Sequence, residues 1–345
     1  MNIIIPILGF GKAGGYRVLS KLANEFIKQG NSVTFVTPAY GKTPYYPTTA
    51  KIINTKSLFR DTPIIRVLFG IISIWLRILK MENGHVLANH NLTAYIAYAL
   101  PKKFKKTYYV QAYEVNLMRS FLGKLVAYIS YFLPVKKIVN SEKILPRYFH
   151  KISGTVPAGI DLELFYRESK IYDKSKKIRI GCIGRTERYK GTNEIIEAFS
   201  SIIKKYDVEL NIAVHTPKIP DTIKDSTKSF SISSDKELSE FYDKNEIIVA
   251  TGLIEDGAFH YPCAEGMASG KIVISNYSPL VEEQHKTHAQ LQLRKITSSK
   301  IAKALEYAIN MTADEQKLET EKNKEIISKY SWEIVSNEMI KIMKA

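Results

Sequence analysis

The sequence predicts an α/β protein made of two parallel-sheet halves, and three observations predict it. Short β-branched runs recur along the chain, apolar residues at helical spacing fall between them, and a turn-rich then Lys-rich stretch at 156–177 divides two such series. At 345 residues the chain exceeds the ~250 to 300 at which single cores stop growing. With 45% hydrophobic and 24% charged residues, its composition excludes a disordered or fibrous class.

The first half opens with an apolar run at 2–8 holding four isoleucines, and 32–37 (SVTFVT) is a second run. Between them, 16–29 sets Val18, Leu19, Leu22 and Phe26 on one helical face, and Gly30 sits where that helix should stop. Strand, helix, strand is the unit of a parallel sheet. Candidate strands follow at 85–89, 107–111 and 137–140. The segments 156–165 and 168–177 read as an interdomain linker. A second series then offers a strand at 178–183, a helix at 192–206 and strands at 209–214, 247–251 and 271–275. Two such halves imply a ligand cleft. No repeat of 20 to 50 residues is visible, which excludes solenoids.

Residues 64–80 (IIRVLFGIISIWLRILK) place Arg66, Gly70, Ser73, Arg77 and Lys80 within roughly 80° of one another on a helical wheel, with Ile, Leu, Val, Phe and Trp around the rest. Spanning a bilayer takes ~20 apolar residues, and this segment is too short and too charged. Two readings remain open. The helix lies in a membrane interface, arginines at the headgroups and Trp75 in the acyl boundary, or it is a mostly buried helix showing one polar stripe to water. The basic run Lys102-Lys103-Phe104-Lys105-Lys106 favours a membrane-facing domain.

Net charge is +16, and it is uneven. Residues 1–165 hold 22 Lys and Arg against 7 Asp and Glu, a net of +15, whereas 166–345 hold 28 against 27, a net of +1. The basic half suits an anionic partner, whether nucleic acid, an acidic membrane or a phosphorylated substrate; a solvated Lys-rich surface is the plain alternative. Two cysteines, Cys182 and Cys263, make no disulfide framework and suit a reducing compartment. No secretory signal pattern is seen, so the cytoplasm is expected.

Three clusters suggest chemistry. Gly9, Gly11 and Gly14 satisfy G-x-G-x-x-G after the first strand. A dinucleotide site would add an acid ~20 residues on, but the second strand ends Val36-Thr37-Pro38, and Glu25 inside the intervening helix is the only acid between Gly9 and Arg60. What remains is a loop whose backbone amides can approach a phosphate at a helix start. The second cluster, GRTERYKG at 184–191, offers the planar fork of Arg185 and the point charge of Lys190, suited to a diphosphate. In the third, EDGAFHYPCAEGMASGKIVIS at 255–275, an acidic pair and a Gly-aromatic loop lead into a short helix bearing Glu265. Amides at such a helix start can hold an anion, and a carboxylate can accept from vicinal hydroxyls.

These segments, with GGYRVLSKLANEFIKQGNSVTFVT near the start and YSWEIVSNEM near the end, resemble the family-4 retaining glycosyltransferases of the GT-B fold, in order and at family-like separations across nearly the whole chain. The 255–275 block is the most specific part. VPAGIDLELF resembles the family's interdomain linker, and the Trp332 region its final helix, which crosses back to the first domain. The implied architecture is two Rossmann-like domains facing a cleft: an acceptor-side domain at 1–165, a nucleotide-sugar domain at 166–328 and a returning helix at 329–345. The resemblance implies that Arg185 and Lys190 hold the donor diphosphate, that Glu265 grips the nucleotide ribose, that Gly14 and Gly15 close on the donor phosphate, and that His90 sits near the reacting sugar. One departure stands out. Eight residues before Glu265, where the family has its first glutamate, is Gly257, so Glu255, Asp256 or main-chain amides from Ala258 through Phe259 to His260 must supply the donor-sugar contact.

The expected activity is transfer of a hexose-type sugar, with retention at the anomeric carbon, from a nucleotide sugar to a lipid-diphosphate-linked or free saccharide in bacterial O-antigen, capsule or related surface polysaccharide synthesis. The protein would be peripheral on the inner face of the cell membrane. No D-x-D occurs, so no metal is expected, and no cofactor beyond the nucleotide sugar itself. Two alternatives stay open. A non-hydrolysing sugar-nucleotide epimerase shares the architecture and needs no acceptor. A nucleic-acid-binding protein would use the basic half, but no basic-aromatic motif of a known module is present and nucleic acid is not an expected partner.

Overall fold

The computed structural model describes all residues except 42, 56–62, 150, 253–258, 277–279 and 281–287. The chain forms two compact units, Met1–Gly159 with Trp332–Ala345, and Ile160–Ser331.

Unit 1 is built on seven parallel strands in the order β3-β2-β1-β4-β5-β6-β7. These are β1 (Asn2–Pro6), β2 (Ser32–Pro38), β3 (Lys51–Thr55), β4 (His85–Ala88), β5 (Lys105–Val110), β6 (Lys136–Val139) and β7 (Gly154–Thr155). Helix α1 (Gly14–Lys28) joins β1 to β2. It buries Val18, Leu19, Leu22, Ala23 and Phe26, the predicted face, and stops where Gly30 turns left-handed at φ 78° while Asn31 N–H donates to the Phe26 carbonyl at 3.0 Å. Helices α2 (Pro63–Leu79), α3 (Asn91–Ala99) and α4 (Phe121–Ser130) make the later crossovers. The order steps from β3 across to β4, then to β5 and β6, so right-handed crossovers place these three helices on one sheet face and α1 on the other.

Unit 2 has five parallel strands in the order β10-β9-β8-β11-β12. These are β8 (Ile178–Ile183), β9 (Val208–Ala213), β10 (Thr227–Phe230), β11 (Ile247–Ala250) and β12 (Ile272–Ser275). Its helices are α5 (Leu162–Phe165), α6 (Thr192–Ile202), α7 (Asp235–Asp243), α8 (Tyr261–Ala268), α9 (Ser298–Asn310) and α10 (Ala313–Ser328). Both faces of this sheet are covered. Ile247 and Val249 of β11 join the core under α6 and α9, while Ile248 and Ala250 join the core under α7 and α8, the period of two that a doubly covered strand requires.

Trp332–Lys344 forms the last helix, α11, and packs in unit 1, where Gln29 Nε2 at the end of α1 donates to Ser336 Oγ at 2.6 Å. The Trp332 ring lies so close to Gly159 that a Cβ there would meet it at 2.8 Å. Among the described residues no helix is long and apolar enough to cross a membrane.

Helix α2 combines features of the two orientations expected for it. The first part of its polar stripe turns inward: the half-buried Arg66 guanidinium stacks on the Tyr40 ring at 5.2 Å, Gly70 is buried, and Ser73 Oγ bonds Thr55 Oγ1 at 2.6 Å, whereas Arg77 and Lys80 are exposed. Trp75 is half-buried and its indole donates to the Ala99 carbonyl at 3.3 Å, so it does not project outward. Ile65, Leu68, Ile72 and Leu76 are exposed instead.

Candidate active site

In an open parallel sheet, ligands bind beyond the carboxyl ends of the strands where the strand order reverses. Each unit has one such point, between β1 and β4 in unit 1 and between β8 and β11 in unit 2. The described residues singled out by sequence belong to the loops and helix starts around these two places.

In unit 2 the loop leaving β8 bears Arg185 and Lys190. Gly191 caps the turn Arg188–Lys190 at φ 77° and starts α6, a conformation that only glycine adopts without strain. The loop is pinned from both sides: Thr192 Oγ1 accepts from Arg185 N–H at 3.0 Å, and Thr251, just beyond β11, donates its hydroxyl to the Lys190 carbonyl at 2.6 Å. Arg185 is exposed, whereas Lys190 is half-buried and lies over the Tyr189 ring at 5.1 Å. Beyond β11, Gly252 is held by Asn276, which accepts from the Gly252 N–H at 3.1 Å and donates to its carbonyl at 2.6 Å. A Cβ on Gly252 would stand 3.6 Å from His260 Nε2 and 3.7 Å from Lys190 Nζ, so these two side chains share one small space.

His260 caps α8 and is buried; burial first, then the charges of Lys190 and Arg185, push its pKa down to about 3. It is a neutral imidazole at physiological pH, set against the two cations. The structure therefore brings Arg185, Lys190 and His260 together. Glu265, on α8, is buried, and Tyr242 of α7 donates its hydroxyl to Oε2 at 2.9 Å. Phe259 packs edge-on against Tyr261 at 5.4 Å. Glu255, Asp256 and Ala258 lie outside the described residues.

Sequence reasoning missed one feature here. Val214, just past β9, has φ 75°, rare for a β-branched residue, and His215 N–H donates back to the Ala213 carbonyl at 3.0 Å. The turn lays the His215 carbonyl against Gly184, leaving no room for a Cβ there. Valine gives no sign of such a turn in a sequence.

In unit 1, Gly14 and Gly15 open α1 at the end of β1. Gly14 is exposed with open space where a Cβ would stand, and a Cβ on Gly15 would meet Gln111 Oε1 at 3.3 Å. His90 caps α3: its Nδ1 accepts from Leu92 N–H at 3.2 Å, and Thr93 Oγ1 accepts from His90 N–H at 3.0 Å. Accepting at Nδ1 leaves the ring proton on Nε2, which faces Glu114 Oε2 at 3.5 Å.

Glu114 is the second residue missed. It opens a short 3-10 turn (Glu114–Leu117) after β5 and is buried. Asn91 N–H and the Tyr108 hydroxyl donate to its two oxygens at 2.9 and 2.7 Å, and its backbone N–H donates to the Tyr131 hydroxyl at 2.8 Å. Burial first and then the Glu114 charge hold the Tyr108 hydroxyl well above its ordinary pKa, so it remains a donor. An acid four residues beyond a Tyr-Tyr-Val strand was the available signal, but its meaning depends on β5 lying beside β4. Among the described residues no group of three or more His, Cys, Asp and Glu side chains is disposed to hold a metal.

No protein-family profile and no curated protein matches the sequence. Solved structures do match over nearly the whole chain. Sucrose-phosphate synthase from Thermosynechococcus elongatus superposes with a TM-score of 0.75 at 15% identity, over 99% of this chain and 98% of that one. HepE of Anabaena, in complex with UDP and glucose, gives 0.72 at 12% identity over 100% and 99%. WaaG, a glycosyltransferase involved in lipopolysaccharide biosynthesis, gives 0.68 at 12% identity over 99% and 100%. With two parallel sheets of seven and five strands and a final helix returned to the first unit, the chain has the GT-B fold.

Proposed function

We propose that the chain is a glycosyltransferase that moves a sugar from a nucleotide sugar to a hydroxyl of a saccharide acceptor, with retention and without a metal. The observation that carries this reading is the meeting of Arg185, Lys190 and a neutral His260 at the switch point of the unit 2 sheet. Two cations placed there suit a diphosphate, and a permanently neutral imidazole beside them adds hydrogen bonding without adding charge. That solved GT-B structures hold UDP with glucose supports a nucleotide sugar as the ligand. As the glycosidic bond breaks, negative charge grows on the departing diphosphate; Arg185 and Lys190 neutralise it, and the diphosphate takes the acceptor's proton. Glu265 binds the ribose, Gly14 and Gly15 approach the phosphate, and the ring of His90, steadied by Glu114, lies beside the reacting sugar.

The acceptor in this reading is a lipid-diphosphate-linked saccharide at an anionic inner-membrane surface, within bacterial surface polysaccharide synthesis. The basic first half and the lipopolysaccharide role of WaaG support it. A thermal-shift screen with UDP, GDP, ADP, CMP and dTDP sugars tests the donor. A ligand at 100 times its Kd raises stability by about 2.7 kcal/mol, so one family of nucleotide sugars should stand out. Incubating that donor alone should leave it unchanged; formation of an epimer without acceptor would replace the transferase by an epimerase.

A further inference from the structure

Helices α2, α3 and α4 form one layer of unit 1, with α3 in contact with both of the others. The outer side of this layer is apolar. On α2, Ile65, Leu68, Ile72 and Leu76 recur at helical spacing and are exposed, with Arg66 and Ser73 turned inward to Tyr40 and Thr55 and with Arg77 and Lys80 exposed at its end. On α4 an exposed apolar stripe recurs beside the exposed Lys124: Phe121 is 82% exposed and Leu122 69%, and Leu125 and Ile129 continue it. Leu117, 65% exposed, extends it toward the end of β5. A water-facing helix does the opposite, so this layer is shaped for an apolar medium.

Its charge selects the occupant. Residues 63–132 hold nine Lys and Arg against two Asp and Glu, and one of those acids, Glu114, is buried. A second copy of the chain would set this positive field against itself across a two-fold contact. An anionic lipid leaflet satisfies both properties, since acyl chains receive the apolar stripes and headgroups receive the lysines and arginines.

We propose that the outer face of α2 and α4 docks on an anionic membrane leaflet, with Leu117, Phe121 and Leu122 inserted beside the acceptor end of unit 1. Leu117 and Glu114 stand at opposite ends of one 3-10 turn, and Glu114 meets His90. Docking through this face therefore sets His90 at headgroup level, where a hydroxyl carried on a lipid headgroup can reach it. That last step rests on the transferase reading; the docking itself does not.

Flotation of the full chain with vesicles of phosphatidylcholine, alone or with about a third phosphatidylglycerol, tests the proposal. The protein should bind the anionic vesicles at least about tenfold more tightly than the neutral ones. The double variants Phe121→Ser with Leu122→Ser, and Leu68→Ser with Ile72→Ser, should each weaken that binding about tenfold. All these positions are exposed, and an unchanged melting temperature and nucleotide-sugar shift confirm that the fold is kept. Absence of vesicle binding, equal binding to both compositions, or binding that neither double variant weakens overturns the proposal. So does a dimer that both variants dissolve, because the face is then an interface between copies. Vesicle binding without a shift from any nucleotide sugar supports the docking face and removes the transferase reading alone.

Discussion

At the scale of single residues, charge placement separates groups that act from groups that hold. Arg185→Ala removes a fork of donors from the proposed diphosphate site, and kcat/KM should fall about 10²- to 10³-fold, as for the loss of one preorganised donor at developing charge; steady-state kinetics with the identified donor measures it. Glu114→Gln keeps the size of the side chain but changes what His90 Nε2 faces, so kcat should drop about tenfold while the KM for the donor stays unchanged. Two buried histidines govern acid stability. His85, hydrogen-bonded to Thr107 at 2.8 Å, is held down to about 4 by burial and by Lys105 and Lys136, and His260 is held at about 3. Both lie below the ordinary 6.5, so between these values the unfolded chain binds protons that the folded chain refuses. Neither group costs stability above pH 6.5, and each lowers it as the pH falls from there to its folded pKa, by about 1.4 kcal/mol per pH unit. Urea midpoints measured from pH 7 downward should show this loss, and His85→Gln and His260→Gln should each flatten it.

At the scale of elements, the turn that sets the basic loop is the most exposed to substitution. Gly191→Ala forces a side chain into a left-handed conformation and toward Thr251 Oγ1, 3.1 Å from the Cβ position. It should cost about 1 to 2 kcal/mol and weaken nucleotide binding by displacing Lys190, which calorimetry on the variant would show. Elements whose meaning is local were legible in the sequence. Residues 178–183 were expected as a strand and form β8, and 16–29 were expected as a helix that forms as α1 from Gly14. The helix expected over 192–206 stops at Ile202, its last fully buried apolar residue. The edge strands β3, β7 and β10 were not legible, because KIINT, GT and TKSF have no sustained alternation of apolar and polar residues. Helix α10 buries Gln316, Glu319, Thr320 and Asn323 along with Ile326 and Ile327, so apolar periodicity could not disclose it, although the Thr312–Glu315 capping box marks its start. In the site, Arg185 and Lys190 were readable from their spacing along one loop. Glu114 was not, because its partners Asn91, Tyr108 and His90 come together only when β4 and β5 pair.

At the scale of the whole molecule, the two tryptophans, Trp75 and Trp332, both belong to unit 1. Tryptophan fluorescence thus follows the unfolding of unit 1, whereas far-UV circular dichroism follows both units. A nucleoside diphosphate held by Arg185 and Lys190 should raise the midpoint seen by circular dichroism more than the one seen by fluorescence, and identical shifts would count against a unit 2 anchor. The same division has a consequence for synthesis. Unit 1 takes its final helix from Trp332–Lys344, after the whole of Ile160–Ser331 has been translated. The second unit in chain order can therefore finish folding on the ribosome while the first still waits for a helix, with the α1 surface around Gln29 uncovered. Nascent chains should hold that surface open to chaperones until residues 332–344 emerge.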